Sequence, residues 1–181
     1  MKTPSWIKIT RSSVSAYERA TLTQKRTVRT ELEAVNLLRP RLGTLIHEEM
    51  HVIMLDGDSK VMHLAVVAVG GIHGIAVSAR DVLRPAIAIG ASRFILAHNH
   101  PSGDPTPSVE DRQFTRAAVI ASDTVGLPIA DHIIIAGSKH VSMLEADPSA
   151  WDIESIVEMQ FDAIKKKRRA KEPMVGPWFT S

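Results

Sequence analysis

The chain has 181 residues, with 22 basic against 20 acidic side chains, 44% hydrophobic but only 4% aromatic residues, and no cysteine. That length is enough for one domain with a real core, packed from Ile, Val, Leu, Ala and Met rather than from aromatic rings. The lack of cysteine excludes disulfides, thiolate zinc sites and cysteine nucleophiles, fits a reducing compartment, and leaves a transition metal only histidine and carboxylate ligands.

The start, MKTPSWIKITRSS, lacks the apolar core of a signal peptide, and the longest apolar stretch, HLAVVAVGGIHGIAV, is broken by glycine and histidine and is too short for a bilayer. A soluble cytoplasmic protein without membrane contact is expected. Residues 28–40 have helical spacing, which Pro40 is expected to end. EEMHVIMLD (48–56) and KVMHLAVVAVG (60–70) flank a short turn at Asp56-Gly57 and predict a β-hairpin, apolar on both faces and therefore covered on both sides. IHGIAVSA (72–79) reads as a short strand. RDVLRPAIAIGA (80–91) reads as a helix with Pro85 near its first turn, and SRFILAH (92–98) as a further strand. Residues 108–126 form an amphipathic helix, and PIADHIIIAG (128–137) with HVSML (140–144) supplies one or two more strands. Residues 151–171 predict a C-terminal helix and 172–181 a loose tail.

The order of these elements predicts an α/β fold, a mixed β-sheet sandwiched by helices. Three parts are expected: a helical N-terminal extension (1–40), a catalytic domain (41–147), and a basic C-terminal helix with its tail (148–181). Six of the 22 basic side chains, Lys165, Lys166, Lys167, Arg168, Arg169 and Lys171, form one run, leaving 16 against 20 elsewhere, a net of −4 in place of +2. The basic character belongs to that run, which reads either as a solvated helix end or as a source of nonspecific nucleic-acid affinity.

The chemistry concentrates in HNHPSGDPTPSVED (98–111). In an extended strand, side chains at i and i+2 share a face, so His98 and His100 can reach one ion while Asn99 points away. Pro101, Gly103, Pro105 and Pro107 turn the chain, Ser108 is a good helix N-cap, and Asp111 falls in the first helical turn. Two imidazoles and one carboxylate would leave a fourth tetrahedral position open, as catalytic zinc does. The same Ser-x-x-Asp is an acidic variant of the capping box, which needs no metal, and histidines at strand ends are often simply hydrogen-bonded. The residues alone leave both readings standing.

His98-x-His100, followed after seven residues by Ser108-x-x-Asp111, resembles the JAMM motif of JAB/MPN zinc metalloproteases. The fuller string resembles the RadC-like branch of that clan. RDVLRPAI, ILAHNHPSGD, Thr115 and LPIADHIIIAG extend the likeness over roughly residues 45–145. The resemblance implies a JAB/MPN-like fold with cytidine-deaminase-like layering, and Zn2+ held by His98, His100 and Asp111. It also implies a catalytic glutamate on an earlier strand. EEMHVIMLD places Glu48 in that role by its distance to Leu55-Asp56, with Glu49 as the rival on the opposite face. Glu48 would then be the general base, and Ser108 would help stabilise the oxyanion. The substrate would be a protein or peptide cleaved at a peptide or isopeptide bond, ubiquitin-like conjugates among those the family admits. The alternative is a RadC-like DNA-repair accessory or nucleic-acid-binding protein with a vestigial or structural metal site. Members of that branch usually carry an N-terminal helix-hairpin-helix region, for which 40 residues are too few. A zinc nucleobase deaminase is excluded, because the Pro-Cys-x-x-Cys ligands are missing.

Overall fold

The computed structural model describes residues 26–70 and 77–158. A five-stranded sheet is built from β1 (Glu49–Leu55), β2 (Val61–Val69), β3 (Arg93–Asn99), β4 (Ile129–Ala136) and β5 (Lys139–Ser142), in the order β2-β1-β3-β4-β5. Helix α1 (Glu31–Leu42) precedes β1, α2 (Ala79–Ala88) lies between β2 and β3, and α3 (Val109–Thr124) between β3 and β4. All pairings are antiparallel except β3 with β4. A parallel pair needs a crossover, and α3 with the loop before it is that connection. The expected mixed α/β sandwich is therefore present.

All seven residues of β1 are buried, as the two-sided apolar pattern predicts. Odd-numbered Ile53, Leu55, Ile95, Ala97, Ile133 and Ile135 pack with Val35, Leu38 and Leu42 of α1 on one face. Even-numbered Val52, Met54, Phe94 and Leu96 pack with Val82 and Ala86 of α2 and Ala118 and Val119 of α3 on the other. The period-2 alternation of strand side chains thus divides the central β1 and β3 residues between two cores. It also settles which side chains at the strand ends share a face with the histidines.

Some boundaries differ from expectation. Helix α1 runs past Pro40 to Leu42. The carbonyl that Pro40 leaves without its helical donor is that of Asn36, and both residues are exposed, which lets solvent take the place of the missing donor. Pro85 lies in the second turn of α2, not its first, because the helix already starts at Ala79. Strand β5 ends at Ser142, whose hydroxyl accepts from the Glu145 N–H (3.2 Å) and caps a one-turn helix α4 (Met143–Ala146). The Met143-Leu144 end of the expected strand is therefore helical. A 3-10 turn, Pro148–Trp151, precedes the helical residues 153–158. The strand expected over 72–79 falls mostly outside the described residues, and Val77 and Ser78 are not in a strand. The basic run of Lys165 to Lys171 also lies outside them. Among the described residues no helix is long and apolar enough to cross a membrane.

Candidate metal centre

Strand β3 ends where the chemistry begins. His98 is its penultimate residue, and the His100 N–H donates to the Ile135 carbonyl of β4 (2.9 Å), so the backbone stays extended through both histidines. Their side chains consequently share the even face. The chain then turns sharply, with the Gly103 N–H donating to the His100 carbonyl (3.2 Å) and Gly103 at φ +81°, a conformation glycine adopts without steric cost. The loop returns the chain to Ser108, the N-cap of α3, and delivers Asp111 in the first turn.

The three side chains converge. His98 Nε2 lies 3.0 Å from His100 Nε2 and 3.0 Å from Asp111 Oδ1, and His100 Nε2 lies 3.4 Å from Asp111 Oδ2. Among the described residues this is the one His/Asp/Glu group able to hold a metal, with its ligand atoms all within 4.8 Å of each other. The His98 side chain is 3% exposed, whereas those of His100 (14%) and Asp111 (15%) reach the surface, so the cluster is closed from below and approachable from above.

Hydrogen-bond accounting determines where the protons are. The Thr115 hydroxyl donates to the Asp111 carbonyl (2.6 Å), so it can only accept from His132 Nδ1–H (2.7 Å). His132 is fully buried, and burial, followed by the neighbouring His98, depresses its pKa and keeps it neutral. Its Nε2 is therefore a lone pair that accepts from His98 Nδ1–H (2.9 Å). That leaves the lone pair of His98 on Nε2, inside the cluster. His100 Nδ1 meets the Asp104 carbonyl (2.9 Å), which can only accept, so its lone pair also sits on Nε2.

Two imidazole lone pairs and a carboxylate thus face one another with no donor between them. Such a set is stable only around a cation or shared protons. The protonic alternative shows in the electrostatics. Burial disfavours charge on His100, but its bonds to Asp111 and the Asp104 carbonyl, with the charges of Asp111 and Glu48, outweigh burial and raise its pKa. Burial would raise Asp111, yet the bonds to His100 and His98 hold it far below the usual carboxylate range. The donor set of two neutral nitrogens and one oxygen suits Zn2+.

Ser108 and Asp111 also form a complete capping box. Asp111 Oδ2 accepts from the Ser108 N–H (2.8 Å) and Oγ–H (2.6 Å), and Ser108 Oγ accepts from the Asp111 N–H (3.0 Å). The capping and metal readings of Ser-x-x-Asp are therefore compatible: Oδ2 serves the helix while Oδ1 faces His98.

The two adjacent glutamates part company here. Met50 pairs with His98 across β1 and β3, and Met50 and Val52 face α2 and α3. Strand parity would carry that face on to half-buried Glu48, whose carbonyl is held by the Gly70 N–H (2.8 Å) and whose charge raises the His100 pKa. Glu49 points to the α1 face and is 4% exposed. There Arg41 grips both of its oxygens (2.8 Å each), with His51 Nε2 at 2.8 Å and His47 Nε2 at 3.2 Å. Burial opposes its charge, but the bonds to Arg41, His51 and His47 prevail and hold its pKa at about 2. Sequence reasoning placed Glu49 only as a rival and missed this network. The signal was available in the spacing of His47, Glu49 and His51, which puts all three on one strand face. Asn99 was also passed over, being read only as pointing away from the ion. Thr115 and His132 lie inside the strings that carry the resemblance, and the hydrogen-bond chain supplies the reason.

Residues 28–149, well over half of the chain, match the family described as a RadC-like JAB domain. The UPF0758 protein of Carboxydothermus hydrogenoformans is 41% identical over 111 residues, 61% of this chain and 49% of that protein. Similar proteins of Listeria welshimeri (39% over 113 residues, 62% of this chain and 50% of the relative) and Symbiobacterium thermophilum (41% over 108 residues, 60% and 46%) carry the same family name. The chain spans about half the length of the curated relatives it matches. With the sheet, the histidine pair and the helix-borne aspartate all in the matched segment, the chain belongs to the RadC-like JAB domain family.

Proposed function

We propose that the protein is a zinc-dependent hydrolase that cleaves a peptide or isopeptide bond, a ubiquitin-like conjugate being one substrate of the right chemistry. The observation that carries this reading is the convergence of three donor atoms, from His98, His100 and Asp111, at the end of a strand beside which the charge of Glu48 is felt. His98, His100 and Asp111 would hold the zinc, which would supply Lewis acidity toward the scissile carbonyl and the attacking water. The Glu48 carboxylate takes the proton from that water as it adds to the carbonyl carbon. It then hands the proton to the departing amine nitrogen as the C–N bond breaks. Ser108 is exposed beside Asp111. Rotating its O–H from Asp111 Oδ2 toward the developing oxyanion leaves the Ser108 N–H still holding the carboxylate (2.8 Å). His132 and Thr115 keep the His98 lone pair aimed at the ion. Glu49, tied to Arg41 on the opposite face, takes no part.

The test combines metal analysis with a panel of linear peptides and lysine-branched isopeptides. The zinc-loaded protein should cleave a member of the panel. Glu48→Gln should keep its zinc and lose roughly a hundredfold or more in rate, while Glu49→Gln, assayed well below its unfolding temperature, should keep most activity. A wild-type protein that holds no zinc, or a Glu48→Gln variant as active as wild type, refutes the proposal.

A further inference from the structure

The β1–β3 ladder stops one step short of the site. Its last pair toward the metal end is Met50 with His98, and the His100 N–H is turned toward β4. The register pairs of β1 with β3 therefore end before Glu48. The gap is closed by the Asn99 side chain, which lies on the opposite sheet face and is 1% exposed. Its Oδ1 accepts from the Glu49 N–H (2.8 Å) and its Nδ2 donates to the His47 carbonyl (2.8 Å). A carbonyl can only accept and an N–H only donate, so the amide orientation is fixed by its partners. The two bonds grip the backbone on either side of Glu48. The Gly70 N–H holds the Glu48 carbonyl from the β2 side.

We propose that Asn99 is a positioning residue for Glu48: lodged between the two ligand histidines, its side chain sets the distance of Glu48 from them. The proposal rests on Glu48 being the general base. An amide is the group the position requires. Aspartate would set a carboxylate oxygen against the His47 carbonyl, and serine or alanine is too short to span both groups. Because His98, Asn99 and His100 are consecutive on one extended strand, any shift of that strand carries ligands and clamp together. The geometry between Glu48 and the ion is thereby preserved through motions of the sheet.

The experiment uses the full chain as Asn99→Ala, Glu48→Gln and the double variant, loaded with zinc for turnover and with cobalt(II) for visible spectra. Asn99→Ala should bind zinc stoichiometrically and give the wild-type cobalt spectrum, since His98, His100 and Asp111 are untouched. Its kcat on the peptide or isopeptide found by the panel above should fall about tenfold to a hundredfold with KM little changed. In the Glu48→Gln background the same change should cost nothing further, because the group it positions is already gone. Should Asn99→Ala fail to fold, Asn99→Ser carries the same comparison. A wild-type kcat in Asn99→Ala, an altered cobalt spectrum, or an equal further loss in the double variant overturns the assignment. An active Glu48→Gln single variant instead overturns the general-base reading beneath it, and the two failures are read from different proteins.

Discussion

Replacing Glu49 by glutamine should destabilise the fold strongly at neutral pH and hardly at all in acid. The carboxylate is 4% exposed and held by Arg41, His51 and His47, and its pKa falls from 4.5 to about 2. At about 1.4 kcal/mol per unit, that shift corresponds to about 3 kcal/mol of stability. Breaking a buried ion pair by removing one partner costs about 3–5 kcal/mol. The Arg41 side chain is 28% exposed and regains water when its partner is lost, so the lower end applies. The folded pKa is depressed, so the contribution is complete above pH 4.5 and disappears as pH falls toward 2. Urea unfolding of wild type and Glu49→Gln should therefore differ by about 3 kcal/mol at about pH 7, a melting shift on the order of 10 °C. The gap should shrink progressively at about pH 4 and pH 3. Glu48→Gln, as a control, should fall within about 0.5 kcal/mol of wild type. A gap below about 1 kcal/mol at neutral pH, or one of equal size at about pH 3, would refute the assignment of the network to Glu49.

His132→Ala should weaken zinc binding by roughly tenfold to a hundredfold, because His98 loses the acceptor that holds its proton on Nδ1. Competition with a chromophoric chelator measures this, and unchanged affinity would mean that His98 is oriented by other contacts. Protons and zinc compete for the same lone pairs, and His100 has a pKa raised above 6.5. Zinc affinity should accordingly begin to fall at a higher pH than an ordinary histidine predicts, and calorimetric titrations from about pH 8 down to about pH 6 should show it.

Much of this molecule is legible in its sequence because strand alternation governs it. The i, i+2 spacing of His98 and His100 put both on one face, and the same parity puts Glu49 on the face of Ile53 and Leu55, where Arg41 meets it. Local turn chemistry placed Ser108 at the N-cap and Asp111 in the first turn of α3. The partners that come from distant segments were less legible. His132 reaches His98 from the neighbouring parallel strand, and Arg41 reaches Glu49 from the end of a preceding helix. No periodicity encodes either contact, because each depends on how elements stack once formed. Pro40 shows the opposite error, a strong local rule overridden where the freed carbonyl of Asn36 stands in water. Val77 and Ser78 were read as strand residues from apolar composition, yet Ser78 is the N-cap of α2, with Asp81 accepting from its N–H (3.0 Å).

The capping box at the start of α3 bears on how such sequences change over time. Asp111 and Ser108 start a 16-residue helix regardless of any ion, and losing an N-cap costs about 1 kcal/mol of stability. A descendant in which the proposed metal chemistry lapsed would still need this helix. Selection for folding alone therefore preserves Ser-x-x-Asp. His100, by contrast, has no cap to maintain, and half-buried Glu48 is joined to the fold by its backbone. In decayed relatives the helix half of the signature should outlast the strand half, so His-x-His together with the upstream glutamate is the part of the pattern that marks a working centre.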